Sequence, residues 1–332
     1  MARTSEPPLL IITYPRSASN LFMRILSLPN QPNIVAEESG GYFFLPALGH
    51  VRDAELLDRP PEEWSDQEIA SMRQAFQSCY HNFQGLIDAA EAEGKRAVIK
   101  EHAPFLICPQ VQANFVHERQ QLKTPMKVDI GQPHCSPRAA GVPENETVLP
   151  DEVLLRCLPA FLIRHPALAF PSYYRVMLGF EGGDHQKVAR RMNDVAVICT
   201  LRWTRTLYDW YTAAWEGQRS PIILDADDIV EQPTLTRHFC DLVGLDSSKV
   251  QFEWKAVDQD KLAQNPVRLH TRATLMTSSG ITPGKTFRGL SIEEEVVKWR
   301  AEFGDSVATK LQQWVQGAMA DYEYLSARRL TL

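Results

Sequence analysis

The stretch Leu9-Leu10-Ile11-Ile12-Thr13-Tyr14-Pro15-Arg16-Ser17-Ala18-Ser19-Asn20 decides the fold. An unbroken apolar run after Pro7-Pro8 reads as a strand buried on both faces, as parallel sheets require. Leu21 to Leu28 then has helical character and stops before Pro29. The unit is strand, turn of small polar residues, helix. Main-chain N–H groups in such a turn, together with the helix N-terminus, form an anion site. Arg16 adds a permanent charge with bidentate geometry, and Ser17, Ser19 and Asn20 offer side-chain donors. A plain capped helix after a strand fits the same residues, so the motif alone leaves both readings open.

Working outward, Arg96 to Lys100, Phe161 to Ile163 and Pro221 to Asp225 read as three further buried strands. A long helix is expected from Asp66 to Glu93, opened by the capping-box pair Ser65 and Glu68 and closed by Gly94. Pro166 suits the first turn of the next helix. Another helix is expected over 190–216, one from 233 to Gly244, and two more over 291–326. Residues 119–151, rich in Pro, Gly and polar side chains, read as a loop or lid insertion. Strands alternating with helices favour a three-layer α/β fold, a mainly parallel central sheet with helices on both faces. No repeat or boundary divides the chain, so residues 1–332 are expected to form one domain. Ligands in such folds bind at the carboxyl ends of the strands.

The totals narrow the function. The chain has 332 residues, 44% of them hydrophobic and 23% charged, with a net charge of −6. Nucleic-acid binders carry a basic excess or stripe, and none is present, so nucleic acid is not an expected partner. No run of about 18 apolar residues offers a membrane span, and no signal peptide precedes the first strand, which points to the cytoplasm. Six cysteines lie at 79, 108, 135, 157, 199 and 240 without any CxxC spacing. Free thiols are therefore expected rather than zinc or redox chemistry, and no metal.

Two more clusters carry chemistry. Lys100-Glu101-His102-Ala103-Pro104 ends a strand, and Lys100 and His102, two residues apart on extended chain, share one side. A base beside a cation suits transfer of an anionic group; a solvated strand end is the plainer alternative. Arg164-His165-Pro166 ends the next strand, with Ser172 eight residues after Arg164. Two donors so placed can grip a phosphate, or Arg164 can serve a structural ion pair.

In order and spacing, the three clusters together resemble the sulfotransferase family. Tyr14-Pro15-Arg16-Ser17-Ala18-Ser19-Asn20 is similar to that family's Tyr-Pro-Lys/Arg-Ser-Gly-Thr-Thr/Ser turn. Lys100-Glu101-His102-Ala103-Pro104 matches its Lys-Thr-His-x-Pro. Arg164, Pro166, Ser172, Tyr173 and Tyr174 match its Arg-x-Pro with a Ser eight residues on, followed by Tyr-Tyr. The resemblance covers most of residues 9–290 and is nearer to a divergent fungal branch than to the animal cytosolic enzymes. It implies a P-loop NTPase-like fold and 3′-phosphoadenosine-5′-phosphosulfate (PAPS) as donor. Arg16, Ser17, Ala18, Ser19, Asn20 and Leu21 would wrap the 5′-phosphosulfate, and Arg164 and Ser172 would hold the 3′-phosphate. The loop Ser278 to Gly289, with Lys285 and Arg288, would close over the 3′ end.

The resemblance further implies transfer of a sulfuryl group to a hydroxyl of a small molecule, without a metal. Arg16 and Lys100 would neutralise charge on the bridging oxygen, and His102 would act as general base. Tyr42, Phe43, Phe105 and Tyr173 would line an apolar or aromatic acceptor site, although ordinary core packing explains aromatics equally well. The sequence departs from the pattern at Ala18 (usually Gly), Asn20 (a hydroxyl residue) and Glu101 (Thr). Glu37 and Glu38 are alternative bases. Three other readings stay open: sulfation that only activates a hydroxyl for elimination or cyclisation, a kinase-like enzyme, and a nucleotide binder without turnover. Gly284-Lys285-Thr286 looks like the end of a Walker A motif, but the Gly required at position 279 is Ser.

Overall fold

The computed structural model describes residues 6–37, 41–120, 124–131, 141–256 and 266–332, with main chain alone at 266–269. Its five strands are β1 (Leu9–Thr13), β2 (Ile34–Ala36), β3 (Arg96–His102), β4 (Leu158–Ile163) and β5 (Ile222–Asp225). They form a parallel sheet in the order β2-β3-β1-β4-β5, surrounded by helices. The architecture is α/β, as the alternation of strand and helix signals indicated. Among the described residues, no helix is long and apolar enough to cross a membrane.

The chain packs as two compact units, each assembled from separate segments. The first comprises Met1–Tyr14, Asn33–Phe161 and Arg202–Ile222. Its centre is β1, buried along its whole length and flanked by β3 and β4, with Leu9 beside Val98 and Leu158. This register brings Thr13, the last residue of β1, opposite His102, the last residue of β3. The helix Asp66–Ala92 covers β2 and β3 with Met72, Phe76, Cys79, Phe83, Ile87 and Ala90, spaced three and four apart on one face. Ser65 and Glu68 form the expected reciprocal cap. The 119–151 stretch is pinned near its end. Lys127 donates to the carbonyls of Asn145 and Thr147, each at 2.6 Å, and Arg202 holds Glu146 through two hydrogen bonds.

The second unit comprises Pro15–Pro32, Leu162–Leu201 and Ile223–Leu332. Here the helix Pro166–Phe180 packs against the long helix Asp305–Ser326. The helix Ser19–Leu26 buries Phe22, whose ring meets Phe239 edge-on at 5.3 Å.

One expectation needs correction, and one strand had not been anticipated. The single helix over 190–216 is two, Met192–Ile198 and Arg202–Ala214, interrupted at Cys199 where φ is −84° and ψ 50°. Neither Gly nor Pro marks the break, and Cys199 and Leu201 are both buried there, so packing rather than local propensity sets it. The edge strand β2 escapes sequence reading because three residues are too few to display a period.

Candidate active site

In the second unit the turn after β1 has the geometry of an anion cradle. Arg16 has φ 68° and Ala18 φ 63°, left-handed conformations that point successive main-chain N–H groups to one side. Ala18 caps the helix Ser19–Leu26 with no side-chain cap bond. Ser17 is fully buried, and among the described residues its hydroxyl has no hydrogen-bond partner. A buried hydroxyl left unmatched costs about 1–3 kcal/mol, a cost that an incoming anionic oxygen would remove. The residues therefore fit a phosphate or sulfate group.

Four of the residues expected to bind the donor gather around this turn. Arg16 donates through Nε to the Ser172 hydroxyl at 2.9 Å and through Nη1 to the Thr271 carbonyl at 2.5 Å. Arg164 donates to the Arg16 carbonyl at 3.1 Å and to the Lys285 carbonyl at 3.1 Å. Burial, then the charges of Arg164 and Arg16, hold the Lys285 ammonium below its usual pKa. Lys285 thus lies close enough to Arg164 and Arg16 to be repelled by both.

The loop that carries Lys285 is anchored from beneath. Phe287 stacks flat on His165, with ring centroids 3.4 Å apart, and its N–H donates to the Asp227 carboxylate at 2.7 Å. Arg288 forms ion pairs with Asp228 and Glu231, so its guanidinium is engaged in holding the loop. Arg329 reaches Asp228 as well. Burial lowers His165 to about pKa 4. Its Nδ1 accepts from the Ala167 N–H, so this imidazole is neutral and caps its helix. Gly284-Lys285-Thr286 follows the helix Pro266–Thr277 rather than a strand, and the next helix starts only at Ile292, so no Walker A unit is built there.

In the first unit the carboxyl end of β3 presents Lys100 and His102 on one side. Both meet Tyr42. Lys100 Nζ donates to the Tyr42 hydroxyl at 2.9 Å and lies 4.1 Å from the ring centroid, while the His102 ring is 4.6 Å from that ring. Phe105 meets His102 edge-on at 4.8 Å. The Thr13 hydroxyl lies 2.6 Å from His102 Nδ1 and 3.2 Å from the Glu101 carbonyl oxygen. Sequence reading passed over Thr13, yet a polar residue closing an otherwise apolar strand was the available signal.

Glu101 is fully buried and works on the main chain. Its carboxylate accepts from the N–H groups of His102 at 2.8 Å and Phe44 at 3.1 Å. Burial pushes its pKa up to about 7 against these bonds. The contact fixes the segment Tyr42-Phe43-Phe44, which Gly41 also serves. Gly41 has φ 99°, and a methyl group there would collide with the Lys100 carbonyl oxygen. Phe43 and Phe44 both pack on Phe83. Glu37 accepts from the Gly41 N–H at 3.1 Å; Glu38 lies outside the described residues. Ser19 is buried. Asn20 and Leu21 are half-buried in the first turn of their helix, and Tyr173 is half-buried on the helix Pro166–Phe180 of the second unit.

Two curated proteins extend these observations across the whole chain. Sulfotransferase ppzF of Metarhizium rileyi (strain RCEF 4871) is 38% identical over 333 residues, 96% of this chain and 95% of its own length. Sulfotransferase ppzF of Metarhizium majus (strain ARSEF 297) is 38% identical over 345 residues, 99% of this chain and 98% of its own. No family model and no solved structure matches.

Proposed function

The chain belongs to a fungal sulfotransferase family and is a transferase, and on that premise we propose that it moves a sulfuryl group from PAPS to a hydroxyl of a small aromatic or apolar metabolite. The observation that carries the donor assignment is the meeting of Arg16, Arg164 and Lys285 beside the buried, unmatched Ser17 hydroxyl. A donor with two separate phosphate groups suits such a cluster better than a single anion does. In this reading the turn Arg16 to Leu21 receives the phosphosulfate, and Arg164, Ser172 and Lys285 receive the 3′-phosphate. Arg288 contributes by holding the loop.

The chemistry follows from charge. The acceptor oxygen forms a bond to sulfur as the bond from sulfur to the bridging oxygen breaks, and the electron pair stays on the departing phosphate. Arg16, in the turn that receives the phosphosulfate, opposes that growing charge. The acceptor proton goes to His102, a contribution of ~10²–10⁴-fold for a well-placed base. Tyr42 and Phe105, both packed on His102, supply an aromatic wall for the acceptor. The burial of Glu101 against main-chain donors favours His102 over Glu101 as base.

Titration calorimetry with adenosine 3′,5′-bisphosphate tests the donor assignment, with ATP, with and without magnesium, as the contrast. Micromolar binding of the bisphosphate without metal is expected. Tighter binding of magnesium-ATP than of the bisphosphate would overturn the reading in favour of a kinase-like enzyme.

A further inference from the structure

The role of His102 as general base requires one particular form of its ring. The acceptor proton can be taken only by a nitrogen with a free lone pair, and a neutral imidazole has one such nitrogen and one N–H. Thr13 decides which is which. Its hydroxyl oxygen touches two groups, the Glu101 carbonyl oxygen at 3.2 Å and His102 Nδ1 at 2.6 Å. The carbonyl can only accept, and the hydroxyl has a single hydrogen. Both contacts are hydrogen bonds only if that hydrogen points to Glu101 and Nδ1 carries its own hydrogen, donated back to the Thr13 oxygen. Nε2 is then left with the lone pair.

We propose that Thr13 is a positioning residue that holds His102 in the Nδ1–H tautomer and so leaves the ring's lone pair on Nε2, the proton acceptor; this rests on the reading of His102 as base. The register supports it, since Thr13 and His102 are paired partners at the ends of adjacent parallel strands. The hydroxyl is therefore held by the sheet itself, in a fully buried position. Tyr42 and Phe105 pack on the ring and limit its rotation, so a flip that exchanged the two nitrogens would have to displace both. When Nε2 accepts the proton, the ring becomes cationic. Its Nδ1–H bond to Thr13 then becomes charge-assisted and stronger, with no rearrangement needed.

The test compares Thr13→Val, which keeps the shape and removes the hydroxyl, with Thr13→Ser, which keeps the hydroxyl. Turnover, calorimetric affinity for adenosine 3′,5′-bisphosphate and the ¹⁵N spectrum of histidine-labelled protein are measured for each. The His102 resonances are assigned by their loss in His102→Gln. Expected is a 10- to 100-fold fall in kcat for Thr13→Val with nucleotide affinity unchanged within threefold. Thr13→Ser should recover most of the loss, and the parent His102 should show a protonated Nδ1. A protonated Nε2 in the neutral parent ring would overturn the proposal, as would full activity of Thr13→Val. If Thr13→Val does not fold, the spectrum of the parent decides alone. Should His102→Gln keep full turnover, the base reading itself fails. A His102→Gln variant that is inactive beside a fully active Thr13→Val would sink only the role of Thr13.

Discussion

Arg16 and Ser172 are joined by a 2.9 Å hydrogen bond although 156 positions separate them in the chain. The bond draws the turn after β1 and the helix after β4 together within one unit, and Arg164 adds a second tie through the Arg16 carbonyl. Ser172→Ala leaves the Arg16 Nε without that acceptor. We expect both Ser172→Ala and Arg164→Ala to weaken binding of adenosine 3′,5′-bisphosphate, the arginine variant by at least tenfold, since hydrogen bonds to charged groups contribute about 1.5–3 kcal/mol. Calorimetry that finds parent-like affinity in Arg164→Ala would remove this residue from the donor site.

His102→Ala should separate chemistry from binding. Turnover is expected to fall by ~10²–10⁴-fold while nucleotide affinity stays within threefold, because the role proposed for His102 is to take the acceptor proton and not to hold the nucleotide. Steady-state kinetics and calorimetry on the same preparation make the comparison. A variant that loses both in equal measure would mean that His102 supports folding rather than proton transfer.

Gly41→Ala should damage the acceptor side. The added methyl collides with the rigid Lys100 carbonyl, and φ 99° is unfavourable for alanine as well. The strand end cannot yield, so Tyr42 must move and give up its hydrogen bond from Lys100. Loss of stability by about 2 kcal/mol, within the range for such mechanisms, and a rise in acceptor KM are expected from thermal unfolding and kinetics.

The buried carboxyl of Glu101 gives a signed pH effect. Its pKa is 4.5 when free and about 7 in the fold, because burial disfavours the anion. The folded chain therefore holds this proton more tightly, and the stability it contributes is complete below pH 4.5 and lost as the pH rises through 7. Asp225, raised to about 6 by burial, acts in the same direction but lower. His165, lowered to about 4, makes stability fall on the acid side of pH 6.5. Between pH 4.5 and about 7 the unfolded chain has shed this proton and the folded chain has not, so Glu101 sets the loss of stability there. The melting temperature should drop across that window, and Glu101→Gln should flatten the drop. An equally steep profile in Glu101→Gln would refute the assignment.

Ala18 occupies a left-handed conformation, φ 63° and ψ 20°, where a side chain costs about 1–2 kcal/mol. Ala18→Gly removes that cost and adds back about 0.4–1 kcal/mol of unfolded-chain entropy. A net gain near 0.5–1 kcal/mol, read as a rise of about 1–2 °C in Tm for a chain of this size, is expected. A lower Tm would mean that the methyl group makes compensating contacts.

How far the sequence could be read depends on the range of the interactions involved. β1, the capped helix Asp66–Ala92 and the turn at Arg16 were legible because local patterns encode them: an apolar run, a Ser65–Glu68 box, small polar residues before a helix. The spacing of Arg164 and Ser172 was legible too, since a strand end and the following helix fix it. What the sequence hid is long-range. Thr13 gains its meaning only from the register that sets it beside His102. Arg288 reads as a phosphate ligand until the loop is seen to deliver it to Asp228 and Glu231. Glu101 reads as a departure from a pattern until the main-chain donors it accepts from are known.

The crowding of Arg16, Arg164 and Lys285 has a kinetic corollary. Guanidinium groups keep their protons at any pH the protein survives, so these arginines lend an electric field and no acid, and the spent nucleotide departs with its full negative charge. Escape from that field is uphill, and dissolved salt eases it by screening over about 8–10 Å. In the proposed reaction, moderate ionic strength should therefore quicken release of the by-product even as it slows capture of fresh donor, giving turnover an optimum in salt concentration.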